Sequence, residues 1–308
     1  MSFFKQLFGL SSAPAEDNIR VIITRHGERA DLALGPRWLS RVRRNGAHHS
    51  GVSYLTPRSD LQEWTFDPPL TIDGERQSSA TGRKLLQLGY PIDYCYASPA
   101  YRSIQTANKI LESQGRRGVQ INIEPGLFEC PLWYASASLS FVPPADLAMD
   151  RYFNVNPYYT PIYDEVDPEE NESNYYERSR LLIDSIIKTH KNQGGTILLS
   201  GHAGSIEALT RGMLRRRARP ERLMYEAEKV NYCNFAILER DARTRRWVVH
   251  SPPQSNEDYY IGQSRIRSTI PLYSATSQYI VTNYSNRSSL SLKHHFHGNK
   301  SFTHYPYK

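Results

Sequence analysis

Two kinds of segment alternate along this chain of 308 residues. Short apolar or β-branched runs predict strands at Ile19 to Thr24, Ile92 to Ala97, Val119 to Ile123 and Thr196 to Leu199. Cys233 to Glu239 and Trp247 to His250 predict two more, as a hairpin through Asp241-Ala242-Arg243. Helical segments lie between them. One opens at Leu70-Thr71 and runs to Leu88, where Gly89 stops it. The next opens at Ser98, with Ser98 as its cap and Pro99 in its first turn. A third spans Tyr175 to Thr189, with Leu181, Leu182, Ile186 and Ile187 as apolar positions, and a fourth follows His202 to Leu214. Strands alternating with helices predict an α/β domain on a mostly parallel sheet.

Two stretches break the alternation. Asp31 to Pro69 offers few strand or helix cues, and such long loops are functional or disordered. Trp38 is either a wall beside a site or a local packing anchor. Residues 131–174 are rich in Pro, Tyr and Asp and predict an irregular cap with a short helix at Pro144 to Tyr152. Its aromatic residues, Trp133, Tyr134, Tyr152, Phe153, Tyr158 and Tyr159, suit a substrate mouth or ordinary packing. The expected organisation is an arm at 1–17, a domain at 18–254 and a basic, low-complexity tail at 255–308.

Composition narrows the class. Hydrophobic residues at 39% and charged residues at 22% suit a globular domain, and no apolar run is long enough to span a membrane. Cys95, Cys130 and Cys233 have no ligand spacing, which fits a reducing, cytoplasmic setting. The net charge is +7, unevenly spread: six Lys/Arg against two acids give +4 to the tail alone. A second cluster, Arg211, Arg215, Arg216, Arg217, Arg219 and Arg222, suits solvated surface, and no nucleic-acid-binding signature accompanies it. No metal or cofactor is expected; His294, His295 and His297 lack a Cys or acidic partner nearby.

The candidate chemistry sits where strands end. The first strand stops in Arg25-His26-Gly27-Glu28-Arg29, and open α/β sheets bind ligands beyond the carboxyl ends of their strands. A neutral imidazole attacks phosphorus, and guanidinium forks match phosphate oxygens. Arg102 falls in the first turn of a helix, whose free N–H groups favour anions. The fourth strand ends in Ser200-Gly201-His202-Ala203-Gly204, a second histidine in an equivalent place. Glu129 lies between Phe128 and Trp133 in an apolar context.

From Asn18 to His250 these pieces resemble the histidine phosphatase superfamily, the phosphoglycerate-mutase-like fold. The narrower resemblance is to the suppressor of T-cell-receptor-signalling phosphatases and the insect ecdysteroid-phosphate phosphatases. It rests on Arg25 to Asp31 with Trp38, Asp67-Pro68-Pro69-Leu70-Thr71, and Ser98-Pro99-Ala100 with Arg102 and Gln105-Thr106-Ala107. Glu124 to Glu129, Phe153-Asn154-Val155, Gly201-His202-Ala203 and Asn231-Tyr232-Cys233 add to it. The sequence departs from the pattern at Cys130, where Trp is expected, and in its basic tail. Such proteins carry ubiquitin-binding and SH3 modules ahead of the phosphatase, for which 308 residues are expected to leave no room.

The resemblance implies a three-layer α/β/α sandwich and a phosphomonoesterase without metal. His26 would form a phosphohistidine that water hydrolyses. Arg25, Arg29, Arg102, His202 and Ala203 would surround the phosphate, and Glu129 would protonate the leaving oxygen. Phosphotyrosyl proteins or small phosphorylated, steroid-like molecules are the implied substrates, and a homodimer the implied assembly. Two alternatives stand beside this: a catalytically weak module that binds phosphorylated partners, and a mutase. Against the mutase, the Trp-Asn that usually follows the Arg-His-Gly turn is missing.

Overall fold

The computed structural model describes residues 18–134, 139–241, 243–244 and 246–250. The arm at 1–17, the tail at 255–308 and its histidines lie outside these residues.

Six strands form one sheet in the order β3-β2-β4-β1-β5-β6. They are β1 (Ile19–Arg25), β2 (Tyr94–Ala97), β3 (Ile121–Ile123), β4 (Gly195–Gly201), β5 (Phe235–Arg240) and β6 (Trp247–His250). Strands β3, β2, β4 and β1 run parallel, while β5 and β6 form the expected antiparallel edge. Alternate residues of a strand point to opposite faces. Accordingly Ile22 and Leu198 join one apolar cluster, while Val21, Ile23, Ile197 and Leu199 join another. Helices α3 (Ile72–Gln87) and α4 (Tyr101–Ser113) cover the first face through Leu85, Ile104 and Ile110. Helices α6 (Glu172–His190) and α7 (Ala203–Met213) cover the second through Leu182, Ile186, Leu209 and Met213. The result is the expected three-layer, mostly parallel α/β/α sandwich.

Several local expectations change. The segment after Arg29 is not an open loop: it holds α1 (Ala30–Leu34) and α2 (Trp38–Asn45). Trp38 is buried among Val42, Val52 and Trp64, so it is a packing anchor. Ser98 does not cap α4. That helix starts three residues later, and the Asp67 carboxylate accepts its Tyr101 N–H at 2.8 Å. In the cap, the helix is only α5 (Pro144–Met149), followed later in the chain by α8 (Leu223–Glu228) beyond α7. Half of the basic cluster is paired along the surface: Arg211 with Glu207, Arg215 with Asp184 and Arg222 with Glu226.

Candidate active site

Strand register brings the two histidines together. Arg25 of β1 pairs with Gly201 of β4, so the next residues, His26 and His202, leave the sheet side by side. Their ring centroids are 5.5 Å apart in an edge-on arrangement. The backbone N–H of His26 donates to Gly201 O at 3.0 Å, which fixes the first residue beyond the strand. The turn then passes so close to α3 that a Cβ on Gly27 would lie 2.5 Å from Gly74 O. Only glycine allows that approach.

His26 Nδ1 lies 2.7 Å from Gly27 O. A carbonyl only accepts, so Nδ1 carries the proton and Nε2 keeps its lone pair. Burial, then the charges of Arg102 and Arg25, hold the imidazole well below the ordinary histidine pKa of 6.5. The ring is therefore neutral at physiological pH.

Three buried arginines gather around this ring's end of the sheet. Arg25 stacks on Tyr232, 4.3 Å from its ring centroid, and donates to Val230 O. Arg29 is gripped by Asp31 through two hydrogen bonds of 2.7 and 2.8 Å. Arg102 is wholly buried; its Nη2 donates to Glu129 Oε1 at 2.6 Å and to the Tyr134 hydroxyl at 2.8 Å. Three other N–H groups, Arg102 Nε and Nη1 and Arg25 Nε, are buried without a hydrogen-bond partner. Buried donors are costly to leave unpaired, and cationic donors clustered beside His26 suit an anion.

Glu129 is the hub of a second layer of contacts. Its Oε1 accepts from Arg102, from the Tyr134 hydroxyl and, at 3.2 Å, from His202 Nδ1. Burial opposes its ionisation, but His202, Arg102 and the Tyr134 hydroxyl outweigh burial and hold the carboxyl well below the usual range. His202 goes the other way: burial outweighs Glu129 and brings its pKa down to about 4. Glu129 is thus a carboxylate and His202 a neutral ring, held by hydrogen bonding rather than by paired charges. The other ring nitrogen, Nε2, lies 2.8 Å from Ser98 Oγ, which donates to it.

The structure brings together Arg25, His26, Arg29, Arg102, Glu129 and His202. Ala203 follows as the first residue of α7. Sequence reasoning named Asp31 and Tyr232 only as motif residues, Ser98 as a helix cap and Tyr134 as a mouth aromatic, and missed their supporting contacts to Arg29, Arg25, His202 and Glu129. Of the cap aromatics, Tyr134 hydrogen-bonds within the cluster, Phe153 is buried elsewhere in the core, and Tyr158 is exposed. Among the described residues, no three His, Cys, Asp or Glu side chains converge as metal ligands.

The profile of the histidine phosphatase superfamily (branch 1) matches residues 21–251. The chain belongs to the histidine phosphatase superfamily. Among its relatives in that superfamily is human ubiquitin-associated and SH3 domain-containing protein B, 30% identical over 79% of this chain and 39% of the relative. Another is the ecdysteroid-phosphate phosphatase of Bombyx mori, 28% identical over 76% of this chain and 36% of the relative. The chain therefore spans about two fifths of the length of these curated relatives. The crystal structure of the silkworm ecdysone phosphate phosphatase with tungstate superposes with a TM-score of 0.68 at 27% identity. That match covers 81% of this chain and 97% of the other, so the histidine phosphatase fold extends across the described sheet and cap. Among the described residues no helix is long and apolar enough to cross a membrane.

Proposed function

We propose that this chain is a phosphomonoesterase that works through a phosphohistidine on His26. One observation carries the reading: Nδ1 is engaged by Gly27 O, so Nε2 is the free nucleophile, beside buried guanidinium groups with unpartnered donors. Arg25, Arg29 and Arg102 hold the phosphate dianion and stabilise the charge on the transferring group. His202 and the N–H of Ala203, at the start of a helix, complete the cradle.

Proton traffic runs through Glu129. In the free protein it is ionised. A bound dianion draws on Arg102 and adds negative charge beside the carboxylate, so Glu129 takes up a proton as substrate binds. His26 Nε2 then forms the P–N bond, the P–O bond to the alcohol breaks, and Glu129 gives its proton to the departing oxygen. Water next attacks phosphorus, Glu129 accepts the water proton, and the P–N bond breaks to return neutral His26 and phosphate.

The name of the ecdysteroid-phosphate phosphatase relative supports phosphorylated steroid-like molecules as a substrate class; aryl phosphates such as phosphotyrosyl proteins are the other class in this proposal. Three buried free thiols support a cytoplasmic setting. A homodimer is part of the same reading, and light scattering tests it.

The test is release of phosphate from p-nitrophenyl phosphate with chelator present. The intact protein is expected to turn over and to yield an acid-labile phosphoprotein on rapid quenching. His26→Ala is expected to do neither. Turnover that survives in His26→Ala overturns the proposal.

A further inference from the structure

Behind Glu129 lies a buried ion pair that the chemistry above leaves unused. Arg178 of α6 donates to Glu170 through Nε at 2.8 Å and Nη2 at 2.5 Å. Both side chains are buried, at 5% and 6% exposure. The third arm of the guanidinium, Nη1, donates to Gly126 O at 2.6 Å and Phe128 O at 3.0 Å. On the other side of Glu129, the Cys130 thiol donates to the backbone carbonyl of Glu170 at 3.4 Å. The residues before and after Glu129 are thus both tied to one Arg–Glu unit.

We infer that Arg178, locked by Glu170, is a positioning residue that fixes the Glu129 carboxylate for proton transfer. The inference rests on the acid–base role proposed for Glu129. Stability alone is a poor account of the pair, because desolvation offsets most of the Coulombic gain of a buried ion pair. Geometry is the better one. Glu129 lies in the short break between two 3-10 turns, Pro125–Leu127 and Pro131–Tyr134. No strand or helix ladder aims the Glu129 side chain. Arg178 supplies the missing frame: a planar fork saturates both Glu170 oxygens and still reaches two carbonyls of the Glu129 loop. Lysine has one ammonium and cannot hold all four acceptors in fixed directions.

A misplaced acid has a distinctive kinetic signature. A nitrophenolate leaves with little protonation, whereas an alkoxide needs a full proton. The experiment compares p-nitrophenyl phosphate with benzyl phosphate in the intact protein, Arg178→Lys and Glu170→Gln, with thermal melts of each. Arg178→Lys is expected to lose about tenfold or more in kcat on benzyl phosphate beyond its loss on p-nitrophenyl phosphate, since small displacements of a catalytic group cost this much. KM for both substrates is expected to stay near the wild-type value, because the phosphate cradle is untouched. Glu170→Gln, which keeps the shape of the partner, is expected to show the same selectivity in weaker form, and it carries the test if Arg178→Lys does not fold. Equal losses on the two substrates would sink the inference, whatever the melting temperatures. The two failures are separable. An active His26→Ala removes the underlying mechanism, whereas an inactive His26→Ala with equal losses in Arg178→Lys removes the brace alone.

Discussion

Arg102 Nη2 lies 2.6 Å from Glu129 Oε1, with both side chains essentially excluded from solvent. Removing one partner of such a pair leaves the other charge buried and unpaired, which costs about 3–5 kcal/mol. Glu129→Gln is therefore expected to unfold at a lower temperature than wild type at neutral pH. The pH dependence has a definite sign. The folded-state pKa of Glu129 is depressed below the ordinary 4.5, so its stabilisation is complete above that value and is lost as pH falls from there toward the folded-state pKa. The stability gap between wild type and Glu129→Gln should narrow in that acid window. Denaturant melts across the window check it; a gap independent of pH would contradict the ionised assignment.

The nucleophile should resist acid. Burial, Arg102 and Arg25 all lower the pKa of His26, so the neutral ring persists well below pH 6.5. The acid limb of kcat/KM is expected below that value. Arg25→Gln removes one of the lowering charges, so the limb should move upward, toward 6.5, together with a rise in KM. A limb that stays put in Arg25→Gln would exclude His26 as the titrating group.

Gly27 and Gly74 touch across the β1–α3 junction. A Cβ on Gly27 would meet Gly74 O at 2.5 Å, and one on Gly74 would meet Glu28 O at 2.4 Å. Both obstacles are backbone atoms, so relief requires the turn carrying His26 to move. Gly27→Ala is expected to cost about 1–3 kcal/mol in stability, as overpacking does. It should also lower kcat on p-nitrophenyl phosphate. Thermal melts and initial rates measured on the same preparation test both halves.

Ser98 and Asp67 divide two duties. Asp67 caps α4, while the Ser98 hydroxyl donates to His202 Nε2 at 2.8 Å. Asp67→Ala should therefore cost stability, at least the roughly 1–2 kcal/mol of a lost cap and more because the buried Arg58 side chain loses a carboxylate 3.0 Å away. Ser98→Ala should leave the α4 cap intact and lower kcat/KM, because His202 Nε2 loses the hydrogen bond that holds its ring in place. Equal melting temperatures for the two variants would argue against this division.

Much of the site was visible in one dimension because a parallel sheet converts sequence into position. A strand ending in Arg25-His26-Gly27 and another ending in Gly201-His202-Ala203 need only be neighbours in register to meet, and β1 and β4 are. Arg102 and Glu129 were visible for a related reason, each lying shortly after a β-strand end. Helices α1 and α2 escaped because they are short. In Trp38–Asn45 only Trp38 and Val42 are buried, too few positions to set a helical period. Ser98 was misjudged because serine before proline is a good local cap, and nothing local reveals that Asp67, 34 positions before Tyr101, takes that duty.

The α/β alternation, the two histidine turns and the arginines around them are written in residue order, because each depends on residue type within a few positions of a strand end. Folding in three dimensions settles which nitrogen of His26 is free and that Tyr134 and His202 share one oxygen of Glu129. The same holds for the Arg178–Glu170 pair behind that loop. Those facts depend on directions and distances between elements far apart in the chain. Hydrogen bonding and burial act through such distances, and residue order alone does not carry them.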